Sequence, residues 1–441
     1  MRNAFLTSVL LYLLATGFAY PFVAGLTYVW IDIAKPQDLL YSFLNGLPFS
    51  MIAAIIALAA YIFSREPKSV RFTGIMAMLS VLAIWITLTT YLADPILGAW
   101  TKWDWAIKAL AFTIFIPFLF RTRLQIESLL FTIVFSVTTI SLSAAAKTLL
   151  GGGGYGSLAI MGNGNAGLGE SSTLAAVCVM MLPFIHYLYS NTIIFPRNKW
   201  FKIVMIGTGA ANIITVVGTN ARTGLVAAAM LLLLYVFQSK RKLMWCVLIA
   251  ASFGIFKSMN LEGTAWGERM STINTYQSDS SAASRVKVWK WTVEYVAEHP
   301  LGGGFNVYML NHIGAVDSAG VIEYLPPNVF GGKAFHSIYF EILGEQGYVG
   351  FAIYAAIMSM TFIRLRKINV SVRGRDEQAW AGDLAGRLAQ SQLALFSGGL
   401  FIGIAYQAYM FYVVAITVAL GELILQQSKP IPNVQNKLAA A

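Results

Sequence analysis

Apolar stretches of roughly 17 to 25 residues recur along the whole chain, and this recurrence restricts the fold more than any other feature. An apolar helix of about 20 residues is long enough to cross the roughly 30 Å hydrocarbon core of a bilayer. Only 12% of the 441 residues are charged, whereas soluble domains carry about 25%. The sequence therefore predicts an all-α, polytopic membrane protein with about twelve transmembrane helices, and it excludes a soluble globular domain.

The predicted spans are residues 5–33, 47–64, 71–92, 105–120, 124–146, 170–190, 201–218, 222–238, 243–258, 336–363, 388–406 and 409–427. The first stretch is long and contains Pro21, so we expect a kinked span or a short hairpin there. It has no small-residue cleavage site followed by a soluble domain, which favours a retained span over a signal peptide. The pattern divides the chain into an N-terminal transmembrane bundle (1–258), a large external loop (259–335), and C-terminal transmembrane helices with a cytoplasmic tail (336–441).

Basic residues give the chain a net charge of +11, and they cluster in every second predicted loop: residues 65–71, 121–123, 197–202, 240–242 and 364–367. This is the positive-inside pattern, which predicts that these loops and both termini face the cytoplasm. Membrane insertion therefore explains the charge, and no nucleic-acid partner is predicted. Both cysteines lie inside apolar runs, so neither a disulfide framework nor a zinc site is expected.

The external loop 259–335 is long enough to be either functional or disordered. Its stretch 284–299 is predicted to be a helix at the membrane interface, because its apolar residues fall on one stripe: Val286, Trp289, Val293 and Val296. Ser284 is the predicted N-cap, and Pro300 with the following glycines ends the helix.

Two arginines are candidates for binding an anion. Arg222 opens a span at its external end, where an arginine costs about 2.5–3.5 kcal/mol on insertion scales. It either anchors the helix end or contacts an anion. Arg285 lies in the first turn of the predicted interfacial helix, where free N–H groups and a guanidinium would together suit a phosphate; the alternative is a solvated surface arginine. Secondary contacts are expected from three further cations: Arg269, Lys287 and Lys333.

His336 is the candidate general base. It stands where the external loop re-enters the membrane, at the start of a predicted span. The positive end of a helix disfavours imidazolium, so the ring is expected to stay neutral and able to accept a proton. A packing or capping role is the alternative. The external carboxylates are scattered rather than paired, so no metal site is predicted.

These residues resemble a known family. His336-Ser337, nine residues and Gly347 are similar to the H-[NSQ]-x9-G signature of the O-antigen ligase and polymerase superfamily. The segment from Asn220 to Gly224, and Arg285 followed by Trp289 and His299-Pro300-Leu301-Gly302, resemble its other motifs. The N-terminal third, with Trp30, Pro36 and a span from Pro48, resembles the exosortase-associated O-glycosylation ligase branch.

The resemblance implies a glycosyltransferase of the GT-C type in the bacterial inner membrane, with its active site facing the periplasm. An O-antigen ligase of this kind would transfer a glycan from undecaprenyl pyrophosphate to a sugar hydroxyl of lipid A–core, without metal or cofactor. Direct displacement would invert the anomeric centre. The resemblance assigns the pyrophosphate to Arg222 and Arg285 and activation of the acceptor hydroxyl to His336.

Three alternatives remain open. An O-antigen polymerase and a protein O-oligosaccharyltransferase use the same donor and differ in the acceptor, which no feature of the sequence identifies. The absence of an added soluble domain in this compact chain favours the ligase. A transporter of lipid-linked sugars would place ionisable groups at mid-membrane on interrupted helices. Here Arg222 and His336 are predicted at helix ends on one side, which favours surface chemistry.

Overall fold

The computed structural model describes residues 2–39, 47–65, 68, 70–93, 96–154, 156–158, 168–239, 242, 244, 280–313 and 332–427. These residues form helices joined by turns, with no strand among them. Six helices in this part are long and apolar enough to cross a membrane by length and composition: Gly74–Leu92, Arg123–Gly152, Ser171–Asn191, Lys199–Gly218, Ile338–Ser371 and Ala408–Gln427. The protein is therefore a polytopic helical membrane protein, as predicted. The count of twelve crossings stays a prediction.

The α-helices of the described residues are, in chain order, α1 (Arg2–Ala19), α2 (Pro21–Ala34), α3 (Phe49–Phe63), α4 (Gly74–Leu92), α5 (Ala99–Leu119), α6 (Arg123–Lys147), α7 (Ser171–Asn191), α8 (Lys199–Gly218), α9 (Arg222–Gln238), α10 (Ser280–Glu298), α11 (Ile338–Ser371), α12 (Ala379–Gly398) and α13 (Ala408–Gln427). The span predicted at 243–258, apart from Met244, and about half of the loop 259–335 lie outside the described residues. The three-part division of the chain stays a prediction.

The first predicted span is two helices packed side by side. Gly17 of α1 lies so close to Ala24 of α2 that a Cβ on the glycine would be 2.7 Å from the alanine Cβ. Farther from the turn, Val9 and Trp30 line one apolar cavity of about 280 Å³. Pro21 occupies the first position of α2, where its missing N–H costs nothing. The structure therefore favours the hairpin, which brings the start of α1 to the same end of the bundle as the end of α2.

Helix α12 differs from the span predicted at 388–406, because it begins at Ala379 and ends at Gly398. Hydropathy placed the span too late, since the first half of this helix carries the charged Asp383 and Arg387, and the amides Gln390 and Gln392 follow. The two amides are buried, whereas Asp383 and Arg387 are partly buried and form an ion pair at 3.1 Å. Ser391 donates to the Met180 carbonyl at 2.9 Å, and Gln392 donates to the Met358 carbonyl at 3.1 Å. The helix therefore packs against α7, α9 and α11 rather than against lipid.

The two ends of α12 identify the two ends of the bundle. At its start, the Arg123 guanidinium lies 4.6 Å from the centre of the Trp380 ring, and Asn191 donates to Asp383 at 2.7 Å. We call this the basic end, since Arg123 and Arg197, which belong to two of the basic loops, lie there. At its other end, Gly398 packs on the start of α9. Twenty residues of helix separate the ends by about 30 Å.

Candidate functional site

His336 lies in a short non-helical segment just before α11. Its backbone is left-handed, with φ +45°, which few residues other than glycine adopt. Such a conformation costs on the order of 1–3 kcal/mol and persists only where the surroundings enforce it. The flanking Phe335 and Ser337 are both buried, while the histidine itself is half-buried. The strained backbone therefore turns the His336 side chain away from the packed neighbours on either side.

Contacts from two other segments fix this stretch. The Trp289 indole N–H donates to the Phe335 carbonyl at 2.9 Å, and its ring stacks on Phe340 with centroids 5.0 Å apart. On the other side, the Glu341 carboxylate accepts the Ala405 backbone N–H at 3.0 Å. The residue before His336 and the first turn of α11 after it are thus tied to α10 and to the segment that follows α12.

A buried ionic triad lies beneath the start of α11. The Lys102 ammonium of α5 is 2.6 Å from Glu341 Oε1 and 2.7 Å from Glu345 Oε1. Glu345 also accepts the Asn306 backbone N–H at 3.0 Å. A single cation therefore joins two carboxylates one helical turn apart and links α5 to α11. The sequence analysis did not identify this group, although its signal was present: two glutamates on one face of an apolar span need a partner.

The glycine of the His-Ser-x9-Gly motif is the point where α11 is interrupted. Gly347 has φ +65° and ψ −169°, so the helix breaks there. The carbonyl of Gly344, left without its intrahelical donor, accepts the Gly303 N–H at 3.0 Å. A Cβ on Gly347 would collide with the Pro300 carbonyl oxygen. The nine-residue spacing of the motif therefore sets the length of helix between His336 and Gly347, where the loop that begins at Pro300 packs against α11.

Arg285 does not occupy the predicted first turn. Helix α10 begins at Ser280, so Ser284 lies inside the helix and is not the N-cap. The free N–H groups of a helix belong to its first four residues, which here precede Arg285. The predicted cradle of a guanidinium beside free backbone donors is therefore wrong for this arginine.

The buried face of α10 also differs from the predicted stripe. Its fully buried residues are Val288, Thr292 and Val296, whereas Val286 and Val293 are exposed. Arg285 lies three and four residues before Val288 and Trp289, so it shares their face. Packing against α11 selects this face, and it directs Arg285 toward the segment that carries His336.

Among the residues that the structure describes, four charged groups act on the His336 ring. Burial lowers its pKa most, and the Arg285 charge lowers it further; Glu170 raises it, Lys333 lowers it and Glu341 raises it, with a net direction below the ordinary value. The ring is therefore neutral near pH 7, as the sequence predicted. Burial and the neighbouring guanidinium are the main causes, and the expected effect of the helix end stays a prediction.

Arg222 lies at the same end of the bundle. It is the first residue of α9, and the next residue, Thr223, packs on Gly398 at the end of α12. The adjacent Gly399 packs on Ile338, the first residue of α11, whose side chain would be 2.5 Å from a Cβ there. The starts of α9 and α11 are thus neighbours across this glycine pair, and the structure brings the two arginines and the histidine to one end of the bundle.

The secondary residues predicted for the site are exposed or lie outside the described residues. Lys333 is exposed and close enough to affect the pKa of His336, Lys287 is exposed on α10, and Arg269 lies outside the described residues. Glu170, which the sequence analysis missed, lies at the start of α7 and accepts the Thr173 hydroxyl at 2.9 Å. No local pattern marks it as functional. Among the described residues, no group of three or more His, Cys, Asp or Glu side chains is arranged to hold a metal ion.

The helical bundle, with ionised groups collected at one of its ends, defines a multi-pass membrane protein with a polar site at a helix-end surface. Residues 207–355 match the family model described as O-Antigen ligase, and residues 1–193 match one described only as a family of unknown function. No curated protein matches the chain. The first match spans Arg222, Arg285, His336 and Gly347. It confirms the resemblance to the O-antigen ligase superfamily and supports an enzyme of the ligase or polymerase type. The narrower exosortase-associated branch stays a prediction.

Proposed function

We propose that the protein is an O-antigen ligase of the GT-C type in the bacterial inner membrane. It transfers a glycan from undecaprenyl pyrophosphate to a sugar hydroxyl of lipid A–core at the periplasmic face. One observation carries the proposal: a half-buried histidine with a lowered pKa lies beside Arg285, at the same end of the bundle as Arg222. A neutral base next to guanidinium groups suits attack on a phosphate-activated sugar.

The arginines act on the leaving group. A guanidinium donates two parallel hydrogen bonds to phosphate oxygens, and its charge does not titrate near pH 7. Arg285 lies on the face of α10 that packs against α11, and Arg222 begins α9, whose start is close to the start of α11 at the Gly398–Gly399 pair. The starts of α7, α9 and α11 converge here and add positive helix ends. Together they stabilise the negative charge that develops on the departing pyrophosphate.

His336 acts on the acceptor. Its neutral ring takes the proton of the acceptor hydroxyl while that oxygen attacks the anomeric carbon. The bond from that carbon to the pyrophosphate oxygen breaks, and undecaprenyl pyrophosphate leaves with the electron pair. The proton stays on His336 until the product departs. Attack opposite the leaving group inverts the anomeric centre.

The assignment is tested by a reaction of the purified protein with one lipid-linked glycan and three acceptors in parallel: lipid A–core, a second lipid-linked glycan and an acceptor protein. We expect product with lipid A–core only. A growing glycan polymer would instead identify a polymerase, and a glycosylated protein would identify an oligosaccharyltransferase. Failure with all three acceptors, with donor that a known ligase can use, would overturn the proposal.

A further inference from the structure

A cavity with a basic lining lies at the basic end, about a bundle length from His336. It has a volume of about 360 Å³ and lies between the start of α4 and the last turns of α11 and α13. Three cations line it: Arg71, Arg364 and Lys367. The remaining walls are largely apolar side chains, so one side of the cavity is basic and the other is apolar.

Arg364 is held in this cavity by its contacts with α13. Its guanidinium lies flat against α13 at Gly421, where a Cβ would be only 2.5 Å from the arginine Nε. One nitrogen is 3.4 Å from Glu422 Oε1, which is the one ion pair of this guanidinium within the described part of the chain, although the group can donate five hydrogen bonds. Arg71 and Lys367 are exposed at the cavity rim. The lining therefore carries three positive charges against one carboxylate.

We propose that this cavity binds the phosphate headgroup of an anionic phospholipid from the surrounding bilayer. The positive lining suits a phosphodiester, and basic cavities between helices are a recurring form of headgroup site. The apolar wall distinguishes a lipid from free phosphate. It continues onto side chains that face outward, with Phe72 59% exposed, Ile363 51% and Leu425 43%. Acyl chains lying on this surface would cover it, which a soluble anion cannot do.

The chain offers a matched control. A neighbouring cavity of about 530 Å³ on the other side of α11 is lined by Arg366 and Arg373. Arg366 directly precedes Lys367 in the sequence and is also exposed. Replacing Arg366 and Arg373 removes the same charge from the same end of the molecule as replacing Arg71 and Lys367. The two pairs therefore separate a specific site from diffuse attraction to a basic surface.

The test is native mass spectrometry of the delipidated full-length protein, titrated with dioleoyl phosphatidylglycerol or with dioleoyl phosphatidylcholine. We expect one phosphatidylglycerol to be retained in preference to phosphatidylcholine. Arg71→Ala/Lys367→Ala should weaken its binding about 25-fold, since each basic residue contributes about fivefold toward an anionic headgroup. Arg366→Ala/Arg373→Ala should change binding less than about twofold.

Three results would overturn the proposal. Equal retention of the two lipids would remove the role of headgroup charge. Equal loss in both double variants would show diffuse attraction only. Displacement of bound phosphatidylglycerol by inorganic phosphate at equal concentration would identify a site for a soluble anion. Size-exclusion profiles of all variants must match the unmodified protein, and both double variants change exposed side chains only.

Discussion

His336 combines a left-handed backbone with a ring that burial and Arg285 keep neutral. We expect His336→Ala to lower transfer by about 10²–10⁴-fold, which is the usual contribution of a positioned base. His186→Ala is the matched control, since His186 lies near the basic end and its ring contacts the Tyr235 hydroxyl at 3.1 Å. Initial rates with saturating donor provide the measurement. Similar losses in the two variants would remove His336 from the chemistry.

The charges around His336 also predict the pH dependence of transfer. The pKa of His336 lies below the ordinary value of about 6.5, so the rate should rise with pH through that lowered pKa and level off above it. Arg285→Gln removes a charge that lowers the pKa, so the acid limb should move to higher pH. Glu170→Gln removes a charge that raises it, so the limb should move to lower pH. Shifts in the same direction for both variants would contradict this electrostatic account.

Substitutions of the two arginines can separate the effect of their charge from the effect of their hydrogen-bonding geometry. Arg222→Ala and Arg285→Ala should each lower transfer by about 10²–10³-fold, as the loss of one donor to a developing anion does elsewhere. Arg→Lys at either position should recover only part of this, because lysine has a charge but no planar fork. Lys287→Ala, on the exposed side of α10, is the control. Full activity in either arginine variant would exclude that residue from the site.

At the scale of helices, Gly347 decides where α11 is interrupted. Gly347→Ala would place a Cβ both at φ +65° and against the Pro300 carbonyl oxygen. Gly374→Ala is a matched control, because Gly374 has φ +76° but open space around its Cβ position. We expect the control to cost about 1 kcal/mol of strain and Gly347→Ala to cost clearly more. The measurement is the midpoint of thermal unfolding of each variant in detergent. Equal midpoints would show that the loop that begins at Pro300 does not exclude a side chain at residue 347.

The ionic triad joins α5 to α11, so its removal tests packing between helices. Lys102→Met leaves Glu341 and Glu345 buried without their cation, and breaking such a group costs about 3–5 kcal/mol. Adding Glu341→Gln and Glu345→Gln to the same variant removes the uncompensated charge and should recover much of that loss. Thermal unfolding midpoints measure both variants. A triple variant less stable than Lys102→Met would mean that the carboxylates stabilise the fold independently of the lysine.

At the scale of the whole molecule, the proposed mechanism gives guanidinium groups and convergent helix starts the electrostatic part that magnesium plays in many phosphate-dependent enzymes. Transfer should therefore proceed unchanged in EDTA. The measurement is the initial rate with chelator, followed by addition of magnesium or manganese. A rate that falls in EDTA and returns with either ion would contradict a metal-independent mechanism.

The sequence determined the transmembrane class and much of the helix pattern, because each span is a property of its own residues. The predicted span 222–238 coincides with α9, and 409–427 differs from α13 by one residue. Motif spacing also identified His336 and both arginines as candidates. Helix α12 was displaced in the prediction, since its polar side chains are bonded to other helices and hydropathy counts them as exposed.

Only the tertiary structure decided what those residues face. The contacts of Lys102 with Glu341 and Glu345 join positions more than 230 residues apart in the chain, and local patterns carry no information about such pairs. The buried face of α10, and with it the direction of Arg285, follows from packing on α11 rather than from the order of its apolar residues. The fold likewise brings Glu170 to the histidine. Helices form from local hydrogen bonds and apolar periodicity, whereas a site forms where their side chains meet in space.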